Sequence, residues 1–505
     1  MSVTSDDSKH QPHAKRWLAL TILMLPVLLV TVDNTVLSFA LPKIAEALHP
    51  SASQQLWIID AYSLVLAGLL ISMGSLGDRK GHRKLLLIGS LGFTAASFIT
   101  AYSSNATQLI AGRAFMGGFG AMLMPSTLAL IRSIFVDREE RRLAVAIWAT
   151  TLTVGSAIGP LIGGILLEFF KWSSIFLLAV PVLIPILILG PVLLPESEPD
   201  APGPMDFISI LQSVIALGAL VYCIKHLASD GPDTLVLAGL GIAIIIGRQF
   251  VRRQMSLPIP LMDLTLFRNK AFSGAVTINL MSLAFLIGFV FSSTQYLQIV
   301  LSMSPLNASL ALIPGQIMAI AISILIVPVA QRVSISILIP TLLSFTAAAF
   351  LLVASLDSSL IVLIVAFALL NIGVGAITTV SNDVILSATP PNRAGAASAI
   401  SETGYEVGVV LGTTVLGGVV TAYYRGTLQL PDFLTPLQIR LGSETLAGAY
   451  SVSTTVAEDQ ANQVMHSAVR AFEGGITSMA WVAFILALLA ILIARHTLTP
   501  QTTSP

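Results

Sequence analysis

Residues 17–41 read WLALTILMLPVLLVTVDNTVLSFAL, an apolar run broken only by Asp33-Asn34 and a few hydroxyl side chains. As a helix rising 1.5 Å per residue, this stretch crosses the roughly 30 Å hydrocarbon core of a bilayer. It sets the fold class as helical and membrane-spanning. An ionised carboxylate at mid-span costs roughly 2.5–3.5 kcal/mol on insertion scales. Asp33 is therefore expected to face a cavity, pair with a cation or carry a proton. The competing reading is an Asp that serves helix packing alone.

The same character extends along the chain. Of 505 residues, 55% are hydrophobic and 10% are charged, with mean hydropathy +0.87; a soluble domain carries about 25% charged residues. About fourteen spans are expected, near 17–41, 55–76, 84–102, 108–131, 143–168, 174–194, 206–226, 234–251, 271–301, 308–330, 334–355, 359–386, 396–423 and 474–495. The strands of a β-barrel would be about ten residues long and alternating. Zero net charge suggests no nucleic-acid partner, and the single Cys223 allows no intrachain disulfide. The histidines lack metal-ligand spacing, and no Gly-x-x-x-x-Gly-Lys-Ser/Thr run offers an ATP site. The chain is thus expected to be no enzyme, to hold no metal or cofactor, and to draw on an ion gradient. The residues before the first span lack a cleavage site, so that helix is expected to be retained.

Charge separates the loops into two sets. One carries Arg79, Lys80, Arg83 and Lys84, then Arg132, Arg138, Arg141 and Arg142, then Arg252, Arg253, Arg268 and Lys270, then Arg332 and Arg393. The other holds scattered charges such as Lys43, Lys171 and Lys225. The positive-inside rule places the first set and both termini in the cytoplasm. The expected organisation is a cytoplasmic tail at 1–16 and a six-helix bundle at 17–195. A linker at 196–270 follows, with two inserted helices and a cytoplasmic connector. A second six-helix bundle occupies 271–495, including a long outer loop at 424–473, and 496–505 form a cytoplasmic tail. That outer loop reads equally as a lid or as a solvated loop. An echo between Phe119-Gly120-Ala121 with its later glycines and Val374-Gly375-Ala376 with Gly408, Gly412, Gly417 and Gly418 suggests two related halves. Many secondary transporters bind substrate between such halves.

Gly74-Ser75-Leu76-Gly77-Asp78-Arg79-Lys80-Gly81-His82-Arg83-Lys84 joins the second and third spans. Its glycines permit a tight turn, and Asp78 can cap a helix or pair with an Arg of the facing bundle. The segment reads as a charge latch or as a topogenic basic loop. It resembles motif A of the major facilitator superfamily. Arg113 to Ala121 resembles motif B, with Met116 where Gln is usual. Gly155-Ser156-Ala157-Ile158-Gly159-Pro160-Leu161-Ile162-Gly163-Gly164 resembles motif C, the antiporter signature. The Asp33 segment through Ala40-Leu41-Pro42 resembles motif D1 of fourteen-helix exporters, and Trp57 to Leu64 is similar to their helix 2 signature. On these residues the chain resembles the 14-helix drug:proton antiporter-2 branch of the superfamily, the group of the QacA, SmvA and LfrA exporters. The resemblance implies an all-α fold of two six-helix bundles plus two inserted helices. It also implies proton-coupled efflux of hydrophobic cations across the bacterial inner membrane by alternating access. Quaternary ammonium antiseptics, dyes and, in some relatives, fluoroquinolones are the implied cargo.

Candidate roles follow. A buried guanidinium stays charged and must be paired; Asp33 and Arg113 are expected partners across helices 1 and 4, and a static ion pair is the alternative. Glu402 and Glu406, four residues apart, stack on one face of helix 13. Gly404, Gly408 and Gly412 lie about 200° around that helix, where they suit close packing. Asp33, Arg113 and Glu406 are the proton-coupling candidates. Glu402, Glu406, Asp33, Asp60, Tyr62, Gln295, Gln316 and Tyr405 are the substrate-binding candidates. Asp60 is also readable as a partly hydrated interfacial acid, Glu402 as a residue nearer the cytoplasmic end, and Phe285, Phe289, Phe291 and Tyr296 as packing or cation–π surface. Gly74, Asp78, Arg79, Gly81 and Arg83 are gating candidates. So are Gly155, Gly159, Pro160 and Gly163, which together with Gly164 are expected to pack helix 5 on the other half. Asp383 is a gate residue or a polar helix terminus. The expected partners are the lipid bilayer, protons and small hydrophobic cations, with a monomeric chain. Alternatives are an exporter of a metabolite or siderophore, or a channel or receptor that does not cycle.

Overall fold

The computed structural model describes residues 13–196, 206–257, 260–356, 359–390 and 393–498. Most of the N-terminal tail, residues 197–205 of the Pro-rich link and most of the C-terminal tail lie outside them. Among the described residues the chain is helical without a strand. The first bundle comprises α1 (His13–Leu48), α2 (Ala52–Lys80), α3 (His82–Thr100), α4 (Ala106–Ile134), α5 (Arg138–Phe169) and α6 (Ser174–Leu193). Then come α7 (Phe207–Asp230) and α8 (Thr234–Ser256). The second bundle has α9 (Lys270–Gln295), α10 (Pro305–Ala330), α11 (Ile335–Ser355), α12 (Leu360–Ser387) and α13 (Ala394–Leu411). Two short helices, α14 (Pro436–Glu444) and α15 (Leu446–Ser453), precede the long α16 (Glu458–Thr497).

Thirteen of these helices are long and apolar enough to cross a membrane. The fourteenth expected span is α3, whose first turn carries His82, Arg83 and Lys84 and so dilutes its hydropathy. Local chemistry sets the helix starts. Ser51 and Gln54 form a capping box on α2, Asn105 caps α4, and Asp137 accepts from the amides of Glu139 and Glu140 at the start of α5. Each such cap contributes about 1 kcal/mol. Gly81 breaks α2 from α3 with φ +93°, a left-handed conformation that glycine adopts without a Cβ clash.

Within the first half α1 packs on α5, and α2 and α3 pack on α4; in the second, α10 and α11 pack on α12, and α9 on α13. The halves meet through α2 against α13 and α5 against α10, while α7 leans on α2 and carries α8 outward. Small residues make the close approaches possible. A Cβ at Gly155, Gly159 or Gly163 would strike Thr31, Thr35 or Val36 of α1. The expectation that this glycine face packs on the other half is therefore corrected. The i, i+4 glycines share one face, and that face belongs to α1. Of the five residues named for that packing, Gly164, one position round the helix, does meet Leu306 and Ser309 of α10 in the other half. Gly408 of α13 and Gly412 just after it abut the carbonyls of Leu280 and Ala284 in α9, which leaves the glutamate face turned elsewhere.

One end of the bundle carries the basic loops; the opposite end is closed by contacts between halves. There Gln298 donates to the Phe39 carbonyl (3.0 Å), and Glu444 accepts from the Ala52 amide at the start of α2 (3.1 Å). Residues 424–473 are largely helical: Tyr424 holds the α14–α15 hairpin through the carbonyls of Gly442 (2.9 Å) and Thr445 (3.2 Å). Two π-helical turns, Tyr296–Val300 after α9 and Gly412–Gly417 after α13, lie at this end.

At the basic end Asp206 caps α7 and takes Arg253 of α8 in a forked contact, Nη2 at 2.8 Å and Nε at 3.0 Å. The Arg253 guanidinium, with the Ser209 hydroxyl and amide, holds the Asp206 carboxyl down at about 2. A carboxyl whose folded value lies below its ordinary one stabilises the fold above pH 4, and that contribution fades as pH falls toward 2. Melting curves in detergent should show Arg253→Ala below wild type at pH 5, with the gap narrowing toward pH 2. Gly159→Val should destabilise α1–α5 packing by about 1–3 kcal/mol through overpacking, read as earlier thermal unfolding; an unchanged melting temperature would contradict the close approach.

Candidate functional site

Arg113 of α4 is almost fully buried, at 1% exposure, and its Nη1 pairs with Asp33 Oδ2 of α1, itself buried. Its Nε donates to the Ile58 carbonyl of α2 (3.2 Å), and its Cζ lies 4.6 Å from the Tyr62 ring centroid. One guanidinium thus ties three helices of the first half. A Lys has neither the forked donors nor the flat face for all three contacts. Tyr62, a substrate-binding candidate, is fully buried against Arg113, with its ring edge-on to Phe93. It supports the cation rather than lining open space.

Next to Asp33 the Asn34 side chain crosses between halves. Its Nδ2 donates to Glu406 Oε1 of α13 (3.1 Å), and its Oδ1 accepts from the Ser63 hydroxyl of α2 (3.3 Å). Glu406 is buried; the Ser63 hydroxyl lies within reach of its carboxylate, but its Oε2 has no aligned donor. A buried carboxylate oxygen left that way is costly unless something else arrives to satisfy it. Two acids, Asp33 and Glu406, feel the charge of Arg113, but Asp33 alone contacts it. With both ionised the trio carries one net negative charge, and one proton or one monovalent cation neutralises it. Glu402, one turn toward the basic end and half-buried, lies within electrostatic reach of Glu406 and Arg132. Sequence reading missed Asn34 and Ser63, although an amide beside an intramembrane Asp was a visible signal.

Asp60 is fully buried, which removes the interfacial reading. Lys225, assigned from sequence to the scattered charges of a loop, is a correction: it lies within α7, fully buried, with Nζ 2.8 Å from Asp60 Oδ2. Thr413 and Thr414 both donate to Asp60, Thr414 at 2.8 Å. They were also missed. A π turn can bring two consecutive hydroxyls to one carboxylate, which a regular helix separates by about 100°.

The remaining candidates scatter. Gln295 turns back to the Phe291 carbonyl of its own helix (3.2 Å), and Gln316 is half-buried on α10. Tyr405 accepts from Asn382 Nδ2 of α12 (3.0 Å), which joins α12 to α13. Asp383 is exposed at its helix end. Phe285 and Phe289 meet Phe350 edge-on and Phe289 stacks on Phe367 inside the second half, so they are packing. In the motif spanning α2 and α3, Asp78 meets His82 (2.9 Å) one turn away, and Arg83 pairs with Glu196 (2.9 Å) and the Leu194 carbonyl (3.2 Å). These two contacts fasten helix ends within one half, not across the bundle. Gly74 faces Pro125 of α4. Among the described residues no three His, Cys, Asp or Glu side chains converge as metal ligands.

Comparison with known proteins adds an independent line. A family model described as Major Facilitator Superfamily matches residues 23–413. The chain is 47% identical to a multidrug efflux pump, LfrA, of Mycolicibacterium smegmatis, over 94% of this chain and 95% of that protein. It is 31% identical to the methyl viologen resistance protein SmvA of Salmonella typhimurium, over 91% of this chain and 93% of that one. Among solved structures, an inward-facing bacterial homologue of the human lysosomal transporter Spinster superposes with TM-score 0.66 at 15% identity, covering 97% of this chain and 98% of that one.

Removing Arg113 strands Asp33 in the core. Arg113→Ala should destabilise the protein by about 3–5 kcal/mol, visible as loss of a monodisperse peak on size exclusion. Asp33→Asn with Arg113→Met, which removes both charges, should recover much of it. Equal instability of single and double variants would contradict a pairing role.

Proposed function

Because the chain belongs to the Major Facilitator Superfamily and is a multi-pass membrane transporter rather than an enzyme, we propose that it exports hydrophobic organic cations in exchange for protons. The observation that carries this reading is Glu406: a buried acid at the junction of the halves, served by Asn34 and the Ser63 hydroxyl, with one oxygen lacking an aligned donor and no cation in contact. A proton or a cationic cargo satisfies that oxygen equally in charge, and the two exclude each other. Asp33, tied to Arg113 beside it, is assigned the proton-coupling role. A proton arriving on Asp33 frees the guanidinium to hold Glu406, and cargo leaves. The names of the two relatives, which speak of multidrug efflux and of resistance to a viologen, support cationic cargo of this kind.

By the positive-inside rule the basic end faces the cytoplasm, so the closed end faces outward. Alternating access then requires the contacts of Gln298, Glu444, Thr413 and Thr414 to part. If n protons enter per monovalent cation exported, n minus one charges move inward, each worth about 2.3 kcal/mol per 100 mV. The glycine seams of α5 and α13 keep each half rigid while they separate.

Everted vesicles with ethidium in the outside medium test the proposal. Wild type should accumulate ethidium when a pH gradient is imposed and stop when it is collapsed. Asp33→Asn should abolish gradient-driven uptake with normal membrane insertion, and Glu406→Gln should reduce it at least tenfold for monovalent cations. Uptake that ignores the gradient, or uptake of anions or neutral metabolites only, would overturn the assignment.

A further inference from the structure

Lys225 is the buried charge that the exchange at Glu406 leaves unused. It lies at the junction of three bodies, since α7 contacts α2 of the first half and the π turn Gly412–Gly417 of the second. Its Nζ sits 2.8 Å from Asp60 Oδ2 and 4.0 Å from the centroid of the Trp57 ring. Apart from that carboxylate the ammonium has no hydrogen-bond acceptor, although it carries three donors and is fully buried. Asp60, in contrast, is well served by two threonine hydroxyls from the other half.

A packed apolar pair in place of Lys225 and Asp60 would hold α7 on the bundle at least as well. Buried ion pairs seldom repay their desolvation when donors are left unsatisfied. What Lys225 supplies instead is a positive charge on a flexible four-carbon stem. Around that charge stand a carboxylate, an indole face and two hydroxyl-bearing residues. An aromatic face with an anion beside it is the surroundings that recognise an organic ammonium.

We propose that Asp60, Trp57, Thr413 and Thr414 form a second, outer site for a monovalent organic ammonium, and that Lys225 fills it as a tethered resident cation until exported cargo displaces it. This rests on the cation-export reading above. As the halves part at the outer end, Thr413 and Thr414 withdraw from Asp60, and the carboxylate exchanges the tethered ammonium for the cargo. When cargo leaves, Lys225 returns and the outer end closes on a satisfied acid. The inserted pair α7–α8 thereby takes part in the cycle and is more than a membrane-facing ornament.

Equilibrium binding of ethidium to the purified full-length protein in nanodiscs, without a gradient, tests this. Lys225→Met should bind about tenfold more tightly than wild type, because the competing cation is gone. Lys225→Arg, which keeps the charge in a forked form, should bind severalfold more weakly. Adding Asp60→Asn to Lys225→Met should cancel the gain, and this doubly neutral variant also serves if the single Met variant does not fold. Wild-type affinity in Lys225→Arg, or a gain in Lys225→Met that survives Asp60→Asn, would overturn the proposal while leaving cation export standing. Absence of ethidium binding to the wild type would remove both.

Discussion

Within a hydrocarbon layer a full charge is tolerated only where other protein groups replace water around it. Arg113 is where this constraint acts most strongly. Its guanidinium joins Asp33 of α1 and the Ile58 carbonyl of α2 and rests against Tyr62, so the core of the first half is assembled around a single cation. Lys225 and Asp60 meet the same demand between the inserted pair and the bundle junction. Glu406 meets it only in part, through the Asn34 amide and the Ser63 hydroxyl and with no cation in contact. The inequality sets Glu406 apart: the acids with cationic partners are tied into the fold, and this one is not.

Motion in such a molecule needs stiff bodies and a soft seam. The stiffness comes from backbones brought close by glycine, α5 on α1 and α13 on α9, where any added Cβ would collide. The seam carries the irregular turns. Both π segments, Tyr296–Val300 and Gly412–Gly417, lie at the closed end, beside Gln298 and beside Thr413 and Thr414, which bind across it. Wide helical turns of this kind cluster at functional positions because they reorient consecutive side chains at small backbone cost.

Reading the chain recovers some features well and others poorly, for identifiable reasons. Asp33, Arg113 and Glu406 stand out because each is an ionisable residue deep inside an otherwise apolar run, and the energetic penalty is visible in one dimension. Lys225 fails by the same measure: near the end of its run, a lysine reads as a group that reaches out to the interface, and nothing local says that α7 turns it inward. The glycines of α5 are conspicuous, but their partner is not, since a small-residue face specifies closeness and not a neighbour. Asn34, Ser63, Thr413 and Thr414 are uncharged, common in membrane helices, and gain meaning only from the carboxylates opposite them.

Sequence by itself determined that this is a helical membrane protein of about fourteen spans, which end of it is basic, and which acids are too costly to be accidental. Hydropathy and charge are local quantities that add along the chain, so they survive without coordinates. The tertiary structure alone decided the pairing: Asp33 with Arg113, Asn34 with Glu406, Asp60 with Lys225 and with two threonines more than three hundred residues away. Those pairings depend on the rotation and depth of each helix against its neighbours, set by packing of side chains that hydropathy treats as equivalent.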